Sequence, residues 1–329
     1  MNPLGALFGV GVEVRNRLYD RGTLRAHRLK APVVSIGSIS AGGAGKTPFL
    51  IMLGDLLKRR GLAFDVLSRG YGRRAKGVAL VNPEGSAQEF GDEPLLIARK
   101  LGVPVIVGED RYAAGQFAEQ RFGPQTHLLD DSFQHRRLAR DFDIVLVTDE
   151  DLHDSLLPAG RLREPLASLS RASAIVFMDH RTSDQIEVRE GQYVWHAYRT
   201  IVPPETSDAC FAFCGIARPQ NFLAELRKAG IQLAGSHEFR DHHAYSAADA
   251  ELLQRLSSQS GATAFVTTEK DAVNLGNYLS QLQPIHVVPV RMQFGDSPEP
   301  VAGAVDVAAS PDEQLYSFLM RRNENRVRE

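Results

Sequence analysis

Short apolar runs alternate with amphipathic stretches along the first part of the chain. Runs such as 143–147 (DIVLV) and 174–178 (AIVFM) are rich in β-branched residues and predict buried strands. The predicted strands are 32–37, 63–67, 104–107, 126–129, 143–147 and 174–178, and the predicted helices between them are 46–60, 92–101 and 111–121. This alternation predicts an α/β fold with a doubly wound, mostly parallel sheet.

A second, smaller α/β series follows an alternating run, 192–202, and the pair Pro203-Pro204. Strands are predicted near 209, 231, 263–266 and 285–289, and helices at 219–229 and 247–256. We therefore predict a larger domain at residues 31–200 and a smaller C-terminal domain at residues 201–329. Within the latter, residues 296–311 are predicted to form a loop, and the last nine residues are predicted to fray.

Residues 1–30 are predicted to form an N-terminal amphipathic helix and a basic segment. Leu4, Leu7, Phe8, Val14 and Leu18 fall near one helical face, and six basic residues lie between positions 15 and 30. An apolar face beside a basic cluster is typical of a helix on an anionic membrane surface. The alternative is a helix packed on its own domain with solvated arginines.

The composition is consistent with the fold predicted from the hydrophobic pattern. The chain has 329 residues, 43% of them hydrophobic, and a formal net charge of −2. It is typical of a soluble globular protein of two domains, with no sign of a nucleic-acid partner or an obligate protein partner. Cys210 and Cys214 match neither a disulfide framework nor a zinc set, which favours buried free thiols.

A glycine-rich stretch, SISAGGAGKTP, joins the first predicted strand to the first long helix. Backbone N–H groups at a helix N-terminus bind phosphate, and glycines allow the loop to wrap around it. Lys46 is expected to reach the β- and γ-phosphates, and Thr47 to bind Mg²⁺. Ser40 stands where the usual pattern has its first glycine. The predicted nucleotide-binding residues are Ser40, Ala41, Gly42, Gly43, Ala44, Gly45, Lys46 and Thr47.

A second motif, THLLDDSFQH, places Asp130 and Asp131 directly after a predicted strand. The carboxyl end of a parallel strand is where a magnesium-binding carboxylate is expected. Gln134 and His135 follow in a loop at the same edge and are candidate substrate-binding residues. The alternative is an aspartate pair that caps a turn.

Seven stretches together resemble the lipid A 4′-kinase (tetraacyldisaccharide 4′-kinase) family. They are SISAGGAGKTP, SRGYGRR, GDEP, LLDDSFQHR, LPAGRLREP, FRDHHAY and TTEKDAV. The resemblance implies ATP-dependent phosphorylation of the 4′-hydroxyl of a tetraacylated glucosamine disaccharide 1-phosphate. It also implies a place on the cytoplasmic face of the bacterial inner membrane, with the N-terminal helix in contact with the lipid. The family usually has Thr at position 40 and Gly at position 132, where this chain has serine.

The same resemblance assigns chemistry to single residues. Asp92 of GDEP is expected to be the base that takes the proton of the hydroxyl, and a helix cap is the alternative. Lys46 and Asp131 are expected to complete the catalytic set. His242 or His243 is expected to orient Asp92 or to contact phosphate; solvated turn residues are the alternative.

Further candidates lie on two other loops. Arg69, Tyr71 and Arg73 are expected to bind the phosphates and a sugar ring of the substrate, with a basic surface turn as the alternative. Arg163 is expected to contact the substrate, and Glu164 to act on the metal or on a hydroxyl. Residues 269–271 are predicted only to begin a helix.

A different class of function remains open on the nucleotide motifs alone. A P-loop ATPase or GTPase acting as a conformational switch or a metal-delivery factor would share the GKT stretch and the aspartate pair. Such a switch does not need the basic N-terminal helix, the SRGYGRR loop and the GDEP carboxylate together. No NKxD-like stretch is present, which disfavours GTP.

Overall fold

The structure is a computed structural model that describes residues 3–178, 186–295 and 310–327. The described strands are β1 (Val33–Ser38), β2 (Phe64–Ser68), β3 (Ala79–Leu80), β4 (Val105–Val107), β5 (Thr126–Leu129), β6 (Phe142–Val147), β7 (Ala174–Phe177), β8 (Tyr193–Ile201), β9 (Cys210–Cys214), β10 (Leu233–Glu238), β11 (Ala264–Thr268), β12 (Ile285–Val288) and β13 (Val290–Phe294). The described α-helices are α1 (Pro3–Asp20), α2 (Lys46–Arg59), α3 (Ala87–Phe90), α4 (Asp92–Leu101), α5 (Arg111–Phe122), α6 (Asp149–His153), α7 (Pro219–Lys228), α8 (Ala247–Ser260), α9 (Glu269–Leu275) and α10 (Pro311–Val327).

The larger sheet has the strand order β13-β8-β7-β6-β1-β5-β2-β4-β3. Its strands are parallel except at the two edges, where β13 and β3 run antiparallel to their neighbours. Every residue of β1 is buried, as expected for a strand covered on both faces. The chain leaves β1 for β2 on one side and later places β6 on the other. The carboxyl end of β1 is therefore a topological switch point, where α/β proteins bind ligands.

The smaller sheet is fully parallel and has the order β10-β9-β11-β12. All five residues of β9 are buried, and both cysteines of this strand are free and buried, as predicted. Helix α7 packs its apolar residues Phe222, Leu223 and Leu226 into one core cluster of this sheet. The prediction of a second, smaller α/β unit is confirmed.

The C-terminal part of the chain returns to the larger sheet. Strand β13 pairs with β8, and Leu315 and Leu319 of α10 belong to the core of the larger sheet. Residues 290–294 and 310–327 therefore lie against the larger unit, although they fall within the predicted 201–329 domain. Residues 321–327, which were predicted to fray, form the last part of α10. Residues 296–309 of the predicted loop lie outside the described residues.

Helix α1 begins at Pro3 and ends at Asp20, so the predicted N-terminal helix is confirmed. Leu4, Leu7 and Val14 are exposed, with 61%, 70% and 50% of their surfaces accessible, which does not fit the alternative of a face packed on its own domain. Phe8 and Leu18 are half-buried instead. In the part of the chain that the structure describes, no helix combines the length and apolarity needed to cross a bilayer.

Candidate active site

The glycine-rich loop connects β1 to α2 at the switch point. Gly42, Gly43 and Gly45 have φ values of 67°, 76° and 81°, a region that side chains with a Cβ avoid. Among the described residues, the non-glycine positions with positive φ are Asp131 and His242, so Ser40 needs no glycine-like backbone. The loop therefore has the conformation that opens the amides at the start of α2 toward an anion.

Arg161 braces this loop from outside. Its Nη2 donates to the carbonyl oxygens of Ala41 and Gly42, each at 3.0 Å, and its own carbonyl accepts from Ala41 N at 2.8 Å. Arg161 was not among the predicted site residues, although it stands inside the LPAGRLREP stretch. A guanidinium that binds successive carbonyls fixes the loop without occupying the amide groups that face phosphate.

Lys46 lies between the loop and the aspartate pair. Its Nζ is 3.2 Å from Ser38 Oγ and 3.4 Å from Asp131 Oδ1. Asp131 also accepts from Arg163 Nη1 at 2.9 Å. Burial opposes ionisation of Asp131, but the two cations outweigh it and lower the pKa of this carboxyl. The structure thus brings together three of the predicted residues as a cation–carboxylate–cation row.

Asp130 has a different environment, deep at the end of β5. Ser68 Oγ donates to its Oδ2 at 3.2 Å, and its buried Oδ1 has no hydrogen-bond partner among the described residues. Burial, followed by the charges of Glu93 and Asp131, raises the pKa of Asp130 to about 7. A buried carboxylate oxygen with no donor fits a divalent cation, and Thr47 is buried at the start of the nearby α2.

The described residues contain no group of three or more histidines, cysteines or acidic residues arranged to hold a metal ion. Magnesium usually takes one or two carboxylates and fills its other positions with water and phosphate oxygens. Asp130 and Thr47 are the residues that fit such an ion.

Glu164 lies outside this arrangement. It is buried, and its carboxylate accepts from Arg171 Nη1 at 2.9 Å, Arg171 Nη2 at 3.2 Å and Asn16 Nδ2 at 2.8 Å. Burial opposes ionisation, but the Arg171 guanidinium outweighs it and lowers the pKa of Glu164. The expected metal role of Glu164 is not supported, because both of its oxygens already bind donors. Its contact with Asn16 attaches α1 to the larger unit.

Asp92 opens α4 and faces the smaller unit. Its carboxylate is 4% exposed and lies 2.9 Å from Nδ1 of His242, and Asn274 Nδ2 donates to it at 3.0 Å. Burial opposes ionisation, but the hydrogen bond from His242 and the charge of Lys270 outweigh it and lower the pKa of Asp92 to about 2. Gly91 occupies the cap position, but Asp92 also accepts from Glu93 N at 2.8 Å in the first turn of α4, so its carboxylate satisfies one free amide of the helix as well.

His242 and His243 point to different surroundings. The φ of 56° at His242 turns its ring toward Asp92, and the hydrogen bond to that carboxylate outweighs burial and raises the pKa of His242. The ring of His243 stacks on Phe239 at 4.4 Å, and its Nε2 lies 3.2 Å from Asp249. The structure therefore brings His242 to the site and leaves His243 within the smaller unit.

The SRGYGRR loop borders this pair. The ring centre of Tyr71 lies 5.0 Å from that of His242, and 63% of the Tyr71 surface is exposed. Arg73 donates to the carbonyl of Gly77 and so folds onto its own loop. Arg69 is exposed at the end of β2. Tyr71 is thus within reach of a ligand at His242, and the two arginines lie beside it.

Gln134 contacts the end of β1, the strand that leads into the phosphate loop, and His135 follows it in the chain. Gln134 Nε2 donates to the carbonyl of Ser38 at 2.9 Å. Burial and the charges of Arg111 and Arg140 lower the pKa of His135 to about 4, so its ring is neutral at pH 7. Ser132 takes no positive φ, so serine fits the turn that precedes them.

A cleft of about 180 Å³ joins the phosphate loop to the smaller unit. It is lined by the loop and the start of α2 on one side and by residues 216–218, 241–242 and 268–270 on the other. A second cavity of about 330 Å³ adjoins it at Gly43–Gly45. Arg218 lines both cavities and binds Glu150 at 2.8 Å; a Cβ added to Gly43 would lie 2.7 Å from its Nε.

Three residues of the site were not predicted: Arg218 and Lys270, which line this cleft, and Asn274, which donates to Asp92. Lys270 was assigned only to a helix start, and that start is confirmed, since α9 begins at Glu269. Its position inside TTEKDAV was the available signal. Arg218 and Asn274 lie in no motif, so only the tertiary structure could identify them.

Comparison with known proteins gives a consistent result. The family model described as tetraacyldisaccharide-1-P 4′-kinase (LpxK) matches residues 1–307. The chain is 50% identical over 307 residues to the tetraacyldisaccharide 4′-kinase of Koribacter versatilis, across 90% of this chain and 95% of that protein. It is 36% identical over 293 residues to the Aquifex aeolicus enzyme of the same name, across 84% and 89%.

A solved structure is similar over nearly the whole length. The crystal structure of LpxK from Aquifex aeolicus in complex with ATP superposes with a TM-score of 0.76, at 32% sequence identity and 97% coverage of both chains. Sequence, fold and the geometry of the cleft therefore agree. The chain belongs to the tetraacyldisaccharide-1-P 4′-kinase (LpxK) family.

Proposed function

We propose that this chain transfers the γ-phosphate of ATP to the 4′-hydroxyl of a tetraacylated glucosamine disaccharide 1-phosphate. The observation that carries the proposal is the cleft between the phosphate loop of one unit and His242 of the other, because the same His242 ring lies 2.9 Å from the Asp92 carboxylate. A conformational switch does not require a buried, ionised carboxylate near its phosphate loop, whereas a kinase needs such a group to accept the proton of the acceptor hydroxyl. Family membership likewise favours the kinase.

The phosphate side of the reaction rests on positioning and charge. The loop amides and Lys46 hold the triphosphate, and Asp131 and Arg163 keep the Lys46 ammonium in place. Mg²⁺, held by Asp130 and Thr47, would neutralise charge on the phosphate oxygens. Arg161 keeps the loop in its bound shape before the nucleotide arrives, so little conformational entropy is lost on binding.

The acceptor side uses Asp92 as the proton acceptor. With a pKa of about 2 the carboxylate is a weak base, so it receives the proton of the 4′-hydroxyl late, as the new P–O bond forms. This order suits the loose transition state of phosphoryl transfer. The Nδ1–H of His242 holds the carboxylate in position. The proposed substrate-binding residues are Arg69, Tyr71, Arg73, Gln134, His135 and Arg163.

The proposal is tested by a product assay. The full-length protein is incubated with γ-labelled ATP, Mg²⁺ and the disaccharide 1-phosphate lipid in detergent micelles, and the lipid is then extracted. We expect a bisphosphorylated lipid that carries the label. Lipid-independent ATP hydrolysis with no labelled lipid would refute the kinase and support the switch.

We further propose that α1 lies on the anionic cytoplasmic surface of the inner membrane. Its exposed apolar side chains are Leu4, Leu7, Val10 and Val14. They recur at intervals of three and four residues, so they form one stripe along the helix. Asn16 and Arg15 are directed to the protein, where they bind Glu164 and Gln134. The helix thus has one side that contacts the protein and one exposed apolar side that can contact lipid.

The membrane proposal predicts the effect of a double variant, Leu7→Gln with Val14→Gln. We expect it to weaken sedimentation with anionic vesicles about tenfold or more, because each exposed apolar side chain contributes on the order of 1 kcal/mol on entering lipid. The control is Phe122→Gln, which changes an exposed apolar residue of α5. Unchanged binding of the double variant would exclude α1 as the anchor.

A further inference from the structure

Lys270 is the second residue of α9 and reaches across to α4 of the larger unit. Its Nζ lies 3.8 Å from Asp92 Oδ2, 3.6 Å from Glu93 Oε1 and 3.1 Å from Asp241 Oδ1. The side chain is 17% exposed. Carboxylates from both units therefore surround a single, largely buried ammonium group, which holds α9 against α4.

The fourth neighbour of this ammonium is the ring of His242. Lys270 Nζ lies 3.3 Å from His242 Nε2, while Nδ1 of the same ring lies 2.9 Å from Asp92 Oδ2. An ammonium group can only donate hydrogen bonds, so Nε2 must accept. The ring proton then resides on Nδ1 and is donated to Asp92. A ring protonated on both nitrogens would direct an N–H at the ammonium.

We propose that Lys270 is a positioning residue for phosphoryl transfer, which holds His242 in the Nδ1-protonated tautomer and so directs the Asp92 carboxylate to the acceptor hydroxyl. This inference rests on the proposed function, in which Asp92 is the base. Lys270 acts through His242, much as the third member of a catalytic triad fixes the tautomer of its histidine.

The fold fixes the separation of Lys270 and His242 within the smaller unit. The buried carboxylate of Asp271 accepts from Gly215 N at 2.7 Å and from Tyr245 Oη at 2.9 Å. Gly215 in turn accepts from His242 N at 3.2 Å. The residue next to Lys270 is therefore joined, through Gly215, to the backbone of His242. Lys270 and His242 form one rigid half of the site, and Asp92 forms the other.

Several charged groups face the His242 ring, and they act in opposite directions. Asp92 and Glu93 on α4 raise the pKa of His242, and Lys270 lowers it. Asp241, the preceding residue, places its Oδ2 3.9 Å from Nε2 of His242. The ring of Tyr71, from the loop after β2, lies 5.0 Å from the His242 ring. Removing the ammonium would leave Nε2 facing carboxylates, which favour a proton on that nitrogen.

The first test is the ring state of His242 in the ligand-free, full-length protein, measured by ¹⁵N NMR of the histidine side chains. We expect Nδ1 protonation in the wild type above the pKa of His242. In Lys270→Met we expect a populated Nε2-protonated form and a raised pKa of His242. The control is Lys100→Met, which removes a different ion pair between α4 and α9, that of Lys100 with Glu269, and should leave the ring unchanged.

The second test is the kinase reaction. Lys270→Met is expected to lower kcat about tenfold or more, since a misplaced base loses part of its contribution, with little change in KM for ATP. Lys270→Arg keeps a donor to Nε2 and should retain the tautomer and most of kcat. A Lys270→Met protein with the wild-type tautomer and pH profile would overturn the inference. The ring measurement needs no turnover, so its failure is distinct from a failure of the lipid product assay.

Discussion

Replacing Lys46 with methionine is expected to lower kcat for lipid phosphorylation about 100- to 1000-fold, the usual loss when one preorganised donor to transition-state charge is removed. The apolar stem is kept, and only the ammonium 3.4 Å from Asp131 is lost. Asp131 retains its pair with Arg163, so the fold should survive. The measurement is the rate of label transfer to lipid at saturating ATP.

The matched control is Lys58→Met on the same helix. Lys58 donates to the carbonyl of Leu101, at the end of α4 away from the cleft. We expect near-wild-type turnover from this variant. Near-wild-type turnover from Lys46→Met instead would show that the glycine-rich loop does not carry the transferred phosphate, and the proposed mechanism would fail at its first step.

Replacing Asp92 with alanine is expected to lower kcat about 100- to 10,000-fold, the range for loss of a general base. Asp110→Ala is the matched comparison, because Asp110 is a true helix cap that accepts from Tyr112 N and Ala113 N. That variant should lose about 1 kcal/mol of stability and keep its turnover. If Asp92→Ala showed the same pattern as Asp110→Ala, Asp92 would be a structural residue.

The pH dependence of stability offers an independent check on Asp92. Its pKa of about 2 in the folded chain lies below the value of about 4 expected when unfolded, so its ionised form stabilises the fold. The contribution, on the order of 2 kcal/mol, is fully present above pH 4 and is lost as the pH falls toward 2. The difference in unfolding free energy between wild type and Asp92→Asn should shrink in that window. Acid loss of activity above pH 4 must then come from another group.

Local sequence predicted the fold where neighbours in the chain determine the element. The helix at 92–101 and the strand at 126–129 have the predicted bounds, because each ends at a clear polar or glycine boundary. Strand β13 and helix α10 were not predicted. Their partners, β8 and the core of the larger sheet, lie roughly a hundred residues away, and the polar end of the chain concealed the spacing of Leu315 and Leu319.

The residues of the candidate site likewise fall into those that local sequence could predict and those that it could not. The loop and Lys46 directly follow β1, and the aspartate pair directly follows β5. Because β1 and β5 are adjacent parallel strands, these residues lie close together at one edge of the sheet. The choice between His242 and His243 depends on one left-handed residue in a turn, which no periodicity records. Glu164 stands next to Arg163 in the chain, yet its carboxylate turns away to Arg171. Neighbouring residues in the sequence can therefore place their side chains on opposite faces of a loop.

The bond between Asn16 and Glu164 has a consequence for how the enzyme meets its substrate. Residue 164 directly follows Arg163, whose guanidinium holds Asp131 beside the phosphate loop. If α1 rests on the bilayer as proposed, the height of the γ-phosphate above the lipid headgroups is set by the folded protein. The sugar then needs to rise only to that fixed level, while its acyl chains remain immersed.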